Sequence, residues 1–241
     1  MNQQLKSPHV DTIVVPKAQS ASDLRLVHDV IRHVQSTGSS KTIIKEFEAV
    51  HRPPPRLLPL IETAKGLINL SEICKASPLV TGLAFAAEDF CLDLSVTRTP
   101  GLTELLFARS AIVTAARAHK LPSAIDLVCT AFKGKEGQNM LREESESGKG
   151  LGFNGKQIIH PSQIDIVHKA FGRSEEEVNW AVRVVIADAK AAEAGRGSWT
   201  LDGKMIDIPV ARKAKDIVSK AEVCGFDLNA LRTKWQNQEP E

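Results

Sequence analysis

The chain has 241 residues, 42% of them hydrophobic and 25% charged, with 15 glycines and 12 prolines. That composition supplies a substantial core and excludes a wholly disordered or fibrous polypeptide. With 31 Lys and Arg against 29 Asp and Glu the formal charge is +2, and aromatics are 5% with no Tyr, so neither a nucleic-acid surface nor a base-stacking platform is expected.

From the N-terminus, residues 11–15 form a β-branched run closed by Pro16, which predicts a buried strand turning at Pro16-Lys17. Ser20 or Ser22 is placed to cap a helix in which Leu24, Val27, His28, Ile31 and Val34 recur at helical spacing, ending at 37–40. Residues 41–51 fit strand and helix equally, and Arg52-Pro53-Pro54-Pro55 is a stiff spacer. A second strand is expected over 57–61, ended by Glu62-Thr63, and then a helix with Leu67, Leu70, Ile73 and Cys74 on one face. A third strand, 79–85, runs into Ala86-Ala87-Glu88-Asp89-Phe90. The spacing predicts a long helix over 103–119 with Leu106, Ala111, Val113 and Ala116 as its apolar positions. A fourth strand is expected over 124–129, a helix followed by a polar loop over 133–150, and a fifth strand over 157–159 ending at His160-Pro161. Ser162 starts a further helix, and Ser174 with Glu177 reads as a capping box. Asp202-Gly203 predicts a turn or hairpin within 199–204, residues 209–222 a final helix, and residues 236–241 a frayed tail.

Short strands alternating with helices indicate βα units and a parallel sheet. There is no GxGxxG after a strand and no GxxxxGK[ST], which disfavours nucleotide binding by those devices. The cysteines, Cys74, Cys91, Cys129 and Cys224, make no CxxC pair and are expected as buried thiols in a reducing compartment. No apolar run approaches the roughly 18 residues that span a membrane, and no presequence is visible. Polar residues follow the predicted strands directly: Lys17, Glu62, Glu88, Asp89 and His160. In parallel α/β folds that edge carries the chemistry. Glu62 and Asp89 are the candidate pair, since two carboxylates plus waters suit Mg²⁺. By position alone, capping the next helix or pairing with Lys17 is the commoner role for such carboxylates. The histidines share no ligand spacing, the run 142–146 reads as a solvated face, and the tryptophans read as packing residues.

Five ordered segments, VVPKAQSASD (14–23), LPLIETAKGLINLSEI (58–73), FAAEDFCLDL (85–94), GFNGKQIIHPSQI (152–164) and DGKMIDIPV (202–210), resemble the citrate lyase β-subunit-like branch of the HpcH/HpaI aldolase family, above all its citramalyl-CoA lyase-like members. The resemblance implies a (β/α)8 TIM barrel, a homotrimer, and Mg²⁺-dependent cleavage of hydroxyacyl-CoA thioesters. Citramalyl-CoA or malyl-CoA would give acetyl-CoA and a keto acid. It implies a mitochondrial location, with the cytoplasm the alternative. It puts the family's metal glutamate on Glu62, its metal aspartate on Asp89, and on Asp207 an aspartate that transfers a proton in a neighbouring subunit's site. Without the resemblance, Asp207 reads as a helix-start residue. The segment with Lys156 and His160 resembles the family's CoA-binding side, where Lys156 would meet a phosphate. Otherwise Lys156 is a solvated loop lysine and His160 a packing histidine. Lys17 and Glu88 are the remaining substrate-side candidates.

Residues 1–195 are expected as a partial barrel and 196–235 as a segment packing on a neighbouring subunit. The family's opening glycine motif, its DLEDAV-type strand end and its RxN arginine have no counterpart, so the first three βα units are expected to be missing. Either the chain is part of a full enzyme, or it is a truncated, non-catalytic paralogue that completes its sheet against another chain; a malyl-CoA thioesterase is a separate alternative, because the motifs do not separate hydrolysis from lysis.

Overall fold

A computed structural model describes residues 10–37, 54–223 and 225–241, so the ambiguous stretch 41–51, most of the proline spacer's start and Cys224 lie outside the described residues. The chain divides into two compact units, Met1–Phe171 and Gly172–Glu241.

In the first unit the strands are β1 (Thr12–Val15), β2 (Arg56–Ile61), β3 (Gly82–Phe85), β4 (Ser123–Asp126) and β5 (Gly155–Lys156). The helices are α1 (Ala21–Thr37), α2 (Ala64–Ile68), α3 (Leu70–Lys75), α4 (Ala87–Leu94), α5 (Leu106–Ala118), α6 (Gly134–Leu151) and α7 (Ile164–Phe171). The sheet order is β1-β2-β3-β4-β5, every neighbouring pair parallel. Each strand therefore adds to the same side of the one before, with no reversal of the kind that marks a doubly wound sheet. Right-handed crossovers then put the helices on one face, as in a barrel wall. The expected α/β class with a parallel sheet is observed, and among the described residues the sheet is open at β1 and β5 rather than closed into a barrel.

The register pairs Val14 with Leu58, Ile61 with Phe85 and Asp126 with Lys156. It brings the residues after β1, β2 and β3 out along one edge. Along β2 the burial alternates, with Leu57, Pro59 and Ile61 buried and Leu58 and Leu60 half-buried. This is the period of two that packs one face on helices. The core gathers Leu24, Ile31, Leu57, Ile61, Ile73, Leu83, Phe85, Phe90, Leu105 and Ile112, all 2% exposed or less.

Several boundaries differ from the sequence reading for identifiable reasons. The helix expected after β2 is two short ones, α2 and α3, broken at Asn69, whose side-chain amide donates to the Gln19 carbonyl at 2.8 Å. In α5 the buried face is Ala108, Arg109, Ile112, Val113 and Ala116, while Leu106 is 48% exposed. The polar stretch predicted as helix then loop is one continuous helix, α6, stopped only at Gly152 with φ +102°. The fifth strand falls at 155–156 instead of 157–159. Only Gln157 extends its ladder, donating to the Asp126 carbonyl at 3.0 Å.

The second unit holds α8 (Glu175–Glu193), a hairpin of β6 (Trp199–Leu201) and β7 (Lys204–Ile206), α9 (Ile208–Val223) and α10 (Leu228–Trp235). Both halves of the Ser174–Glu177 capping box are present, and Asp202 and Gly203 at φ 51° and 72° make the hairpin turn. The boundary expected after residue 195 falls inside this unit, because Val178, Ala181, Val182 and Val184 of α8 belong to the same core as Trp199, Leu201 and Ala214. The tail is anchored rather than frayed. Thr200 and Glu241 exchange two backbone hydrogen bonds of 3.0 Å, and Arg183 Nε donates to Gln238 Oε1 at 2.8 Å. Cys74, Cys91 and Cys129 are buried free thiols, as expected. No described helix is long and apolar enough to cross a membrane.

Candidate active site

The edge where β1, β2 and β3 end is tightly braced. After β1, Lys17 takes a left-handed backbone at φ 47°, and the Ala18 amide donates to the Leu60 carbonyl at 3.2 Å. A Cβ on Gly66 of α2 would lie 2.5 Å from the Ala18 carbonyl oxygen, so that turn and α2 can approach only at glycine. Asp23, in the first turn of α1, accepts from the Gln19 and Ser20 amides at 2.9 Å each. The Gln19 amide bond, followed by those from Ser20, outweighs burial and holds the carboxyl below its ordinary value. After β2, Thr63 caps α2 through its hydroxyl, which accepts from the Gly66 amide at 3.1 Å. The Ala86 amide donates to the Ile61 carbonyl at 3.0 Å, and the Ala64 amide to Asp93 Oδ2 at 2.8 Å. These bonds fix the loop after β2 to the loop after β3.

Glu62 stands at the end of β2 and is 4% exposed. Among the described residues no cation and no hydrogen-bond donor meets its carboxylate. On either side, Lys17 Nζ from the end of β1 lies 3.4 Å from Asp89 Oδ1 in the first turn of α4. Because β1 and β3 flank β2, this pair reaches across the strand end that carries Glu62. No buried side-chain oxygen among the described residues is left without a partner, so the Glu62 carboxylate, which meets none, keeps its oxygens open to solvent at the strand end while the rest of the residue is buried. Among the described residues no cluster of three or more His, Cys, Asp or Glu could hold a metal. Two carboxylates with oxygen donors only are nevertheless the set for a hard ion such as Mg²⁺, which uses one or two carboxylates and keeps several waters.

The other sequence candidates are distributed differently. Glu88, exposed, pairs with Arg98 Nη1. Lys156 is neither a phosphate-facing nor a solvated loop lysine: it lies in β5 with its side chain fully buried, its ammonium 2.9 Å from Glu144 Oε2. His160 is exposed, stacks on Phe132 with ring centroids 5.1 Å apart, and accepts at Nδ1 from the Ser162 amide at 3.2 Å. Asp207 precedes α9 in the second unit, where its Oδ1 accepts from the Val210 amide at 3.1 Å, the helix-start role.

Two buried ionic groupings were not visible in the sequence. Glu144, in the run read as a solvated face, is 4% exposed. It takes Arg98 Nη2 at 2.7 Å on one oxygen and Lys156 on the other. Burial opposes the Arg98 charge, but Glu144 and Glu88 outweigh it and hold the guanidinium pKa above its ordinary value. In the second grouping Arg109 (2% exposed) meets Asp126 (0%) through two hydrogen bonds of 3.1 and 2.6 Å. The only sequence signal was an arginine on the apolar face of α5. Burial pushes the Cys74 thiol up to about 11 and also raises Cys91 and Cys129, so none of the three offers a thiolate near neutral pH.

The family model described as HpcH/HpaI aldolase/citrate lyase matches residues 2–161. The chain is 36% identical over 218 residues to citrate lyase subunit beta of Escherichia coli K12, spanning 90% of this chain and 67% of that protein. It is 37% identical over 176 residues to mitochondrial citramalyl-CoA lyase of Homo sapiens, spanning 70% of this chain and 51% of that protein. Among solved structures, CitE of Mycobacterium tuberculosis in complex with magnesium, acetoacetate and coenzyme A superposes with a TM-score of 0.64 at 28% identity, covering 88% of this chain and 68% of that one. A citrate lyase from Burkholderia xenovorans LB400 matches in fold with a TM-score of 0.74 at 20% identity, covering 94% and 70%.

Proposed function

The chain belongs to the HpcH/HpaI aldolase/citrate lyase family, and we propose that it is a Mg²⁺-dependent lyase that breaks a carbon–carbon bond in a hydroxyacyl-CoA thioester, taking citramalyl-CoA or malyl-CoA to acetyl-CoA and a keto acid. The observation that carries the reading is the placement of two carboxylates at one sheet edge: Glu62 at the end of β2, meeting no cation among the described residues, and Asp89 after the neighbouring β3. Magnesium and coenzyme A bound to the mycobacterial relative, and the named activities of the two lyases, support it.

Glu62 and Asp89 would hold the ion, and Lys17 keeps the Asp89 carboxylate aimed across the end of β2. When bound, Mg²⁺ polarises the developing keto carbonyl and orients the substrate's oxygens. In cleavage a base takes the hydroxyl proton, the bond to the thioester α-carbon breaks, and its electron pair passes to the enolate oxygen. Protonation of the enolate carbon then yields acetyl-CoA. Asp207 is the proposed proton donor, contributed to a neighbouring subunit of a homotrimer. Only its Oδ1 is used in capping α9, and among the described residues its Oδ2 accepts no hydrogen bond. His160 is the proposed CoA-side contact. The mitochondrion is the proposed location, on the strength of the human relative.

Titration of Mg²⁺ into the purified chain tests the site. Binding should be abolished in the Glu62→Ala, Asp89→Ala double variant, and unchanged binding there would refute the assignment. One observation favours a second reading, a non-catalytic partner: among the described residues no strand pairs with the outer edge of β1, where Val14 is 50% exposed. Turnover by the 241-residue chain alone would exclude it.

A further inference from the structure

We infer that Arg98 is a positioning residue for the metal-facing carboxylate Asp89, acting through Glu88 and held in place by the buried Glu144. The inference rests on the reading of Asp89 as a metal ligand. The first turn of α4 has no side-chain cap of its own, since Ala86 occupies the N-cap position. Ala87 and Phe90 pack its inner side into the core, and two ion pairs on successive residues add to that on its outer side. Glu88 is drawn to Arg98 on one side and Asp89 to Lys17 on the other. Consecutive helical side chains diverge by about 100°, so tethers on both restrain the directions in which the Glu88 and Asp89 carboxylates point.

Arg98 is suited to this as lysine is not. Its side chain is 15% exposed. Its planar fork serves three acceptors at once: Glu88 Oε1 through Nη1, and Glu144 Oε1 at 2.7 Å and the Val128 carbonyl at 3.0 Å through Nη2. Glu144 in turn shares its second oxygen with Lys156 at 2.9 Å, which roots the fork in α6 and β5. Glu88, Arg98, Glu144 and Lys156 together carry no net charge, so loss of Glu88 leaves the network with an excess of one positive charge. The segment that presents Arg98 is itself pinned, Thr99 donating from its amide and its hydroxyl to Glu104 at 2.8 and 2.7 Å.

The test uses the full chain as wild type, Arg98→Lys, Glu88→Gln and Glu88→Ala. Magnesium affinity is read by calorimetry, and amide exchange over 87–90 is read without metal. Loss of a group that orients a metal ligand costs about 10- to 100-fold in affinity. Arg98→Lys and Glu88→Ala should therefore weaken Mg²⁺ binding by about tenfold or more and speed exchange over 87–90. Glu88→Gln, which keeps an acceptor for Arg98, should lose less. Glu88 is exposed, so its variants fold even if Arg98→Lys does not. A purely structural network would lower the melting temperature and leave the Mg²⁺ affinity of all three variants at the wild-type value. That result, or unchanged exchange over 87–90, overturns the inference alone. A wild-type chain that takes up no Mg²⁺ overturns the proposed function, and the inference with it.

Discussion

Removal of Arg109 should be among the most costly single changes in the first unit. Its guanidinium grips Asp126 through two hydrogen bonds of 3.1 and 2.6 Å and donates a third, at 3.2 Å, to Ser147 Oγ. Water cannot replace it. Asp126 is 0% exposed, and α6 passes so close that a Cβ on Gly148 would lie 2.3 Å from Asp126 Oδ2. In Arg109→Ala the carboxylate is left buried and uncompensated, a situation that costs about 3–5 kcal/mol. At about 2–4 °C per kcal/mol for a domain of this size, the melting temperature should fall by roughly 6–20 °C. Far-UV circular dichroism in urea is the assay, because Trp180, Trp199 and Trp235 all lie in the second unit and fluorescence would follow that unit. The double variant Arg109→Leu, Asp126→Ala removes both charges and should be substantially more stable than Arg109→Ala, since no unpaired ion remains. A single-variant loss under about 1 kcal/mol, or a double variant as unstable as the sum of its singles, would refute the reasoning.

Three further outcomes are expected. Gly66→Ala forces a Cβ against the Ala18 carbonyl and should destabilise the chain by about 1–3 kcal/mol in denaturant unfolding; a neutral result would mean that the turn at Lys17 yields freely. Cys74 is raised from an ordinary 9.0 to about 11 in the fold, so the folded state binds the proton more tightly and stability should fall as pH rises through that window. The loss is on the order of 2–3 kcal/mol at about 1.4 kcal/mol per pH unit, and Cys74→Ala should flatten the profile above pH 9. Asp23 is lowered in the fold, so its contribution is complete above the unfolded value of about 3.9 and is lost as pH falls through the folded one. Asp23→Ala should cost about 1 kcal/mol at neutral pH and nothing in strong acid; an equal cost at both would deny the carboxylate that role.

Much of the scaffold was legible because its signals are local. The β-branched run before Pro16, the alternation along β2 and the Ser174 capping box each need only a few adjacent residues. The edge position of Lys17, Glu62 and Asp89 follows from strand ends alone. What escaped depends on partners far along the chain. Glu144 sits in a run that reads as a solvated face, and Gly148 in a stretch that reads as a polar loop. They are buried because Arg98, 46 residues away, and Asp126 meet that helix. Arg109 interrupts the apolar stripe of α5 and hides the buried face at Ala108 and Ile112. Lys156 looked like a loop lysine because its neutralising partner lies on α6. The tail looked free because its pairing with Thr200 is made by backbone, which no side-chain pattern announces.

The most direct measurement is release of acetyl-CoA from citramalyl-CoA and from malyl-CoA by the 241-residue chain, followed by mass spectrometry with Mg²⁺ and with excess EDTA. A Mg²⁺-dependent lyase built on Glu62 and Asp89 predicts acetyl-CoA and the matching keto acid with Mg²⁺, and neither product in EDTA or in Glu62→Ala. Equal release in EDTA and in Glu62→Ala, or free CoA with an intact hydroxy acid as the only products, would contradict it.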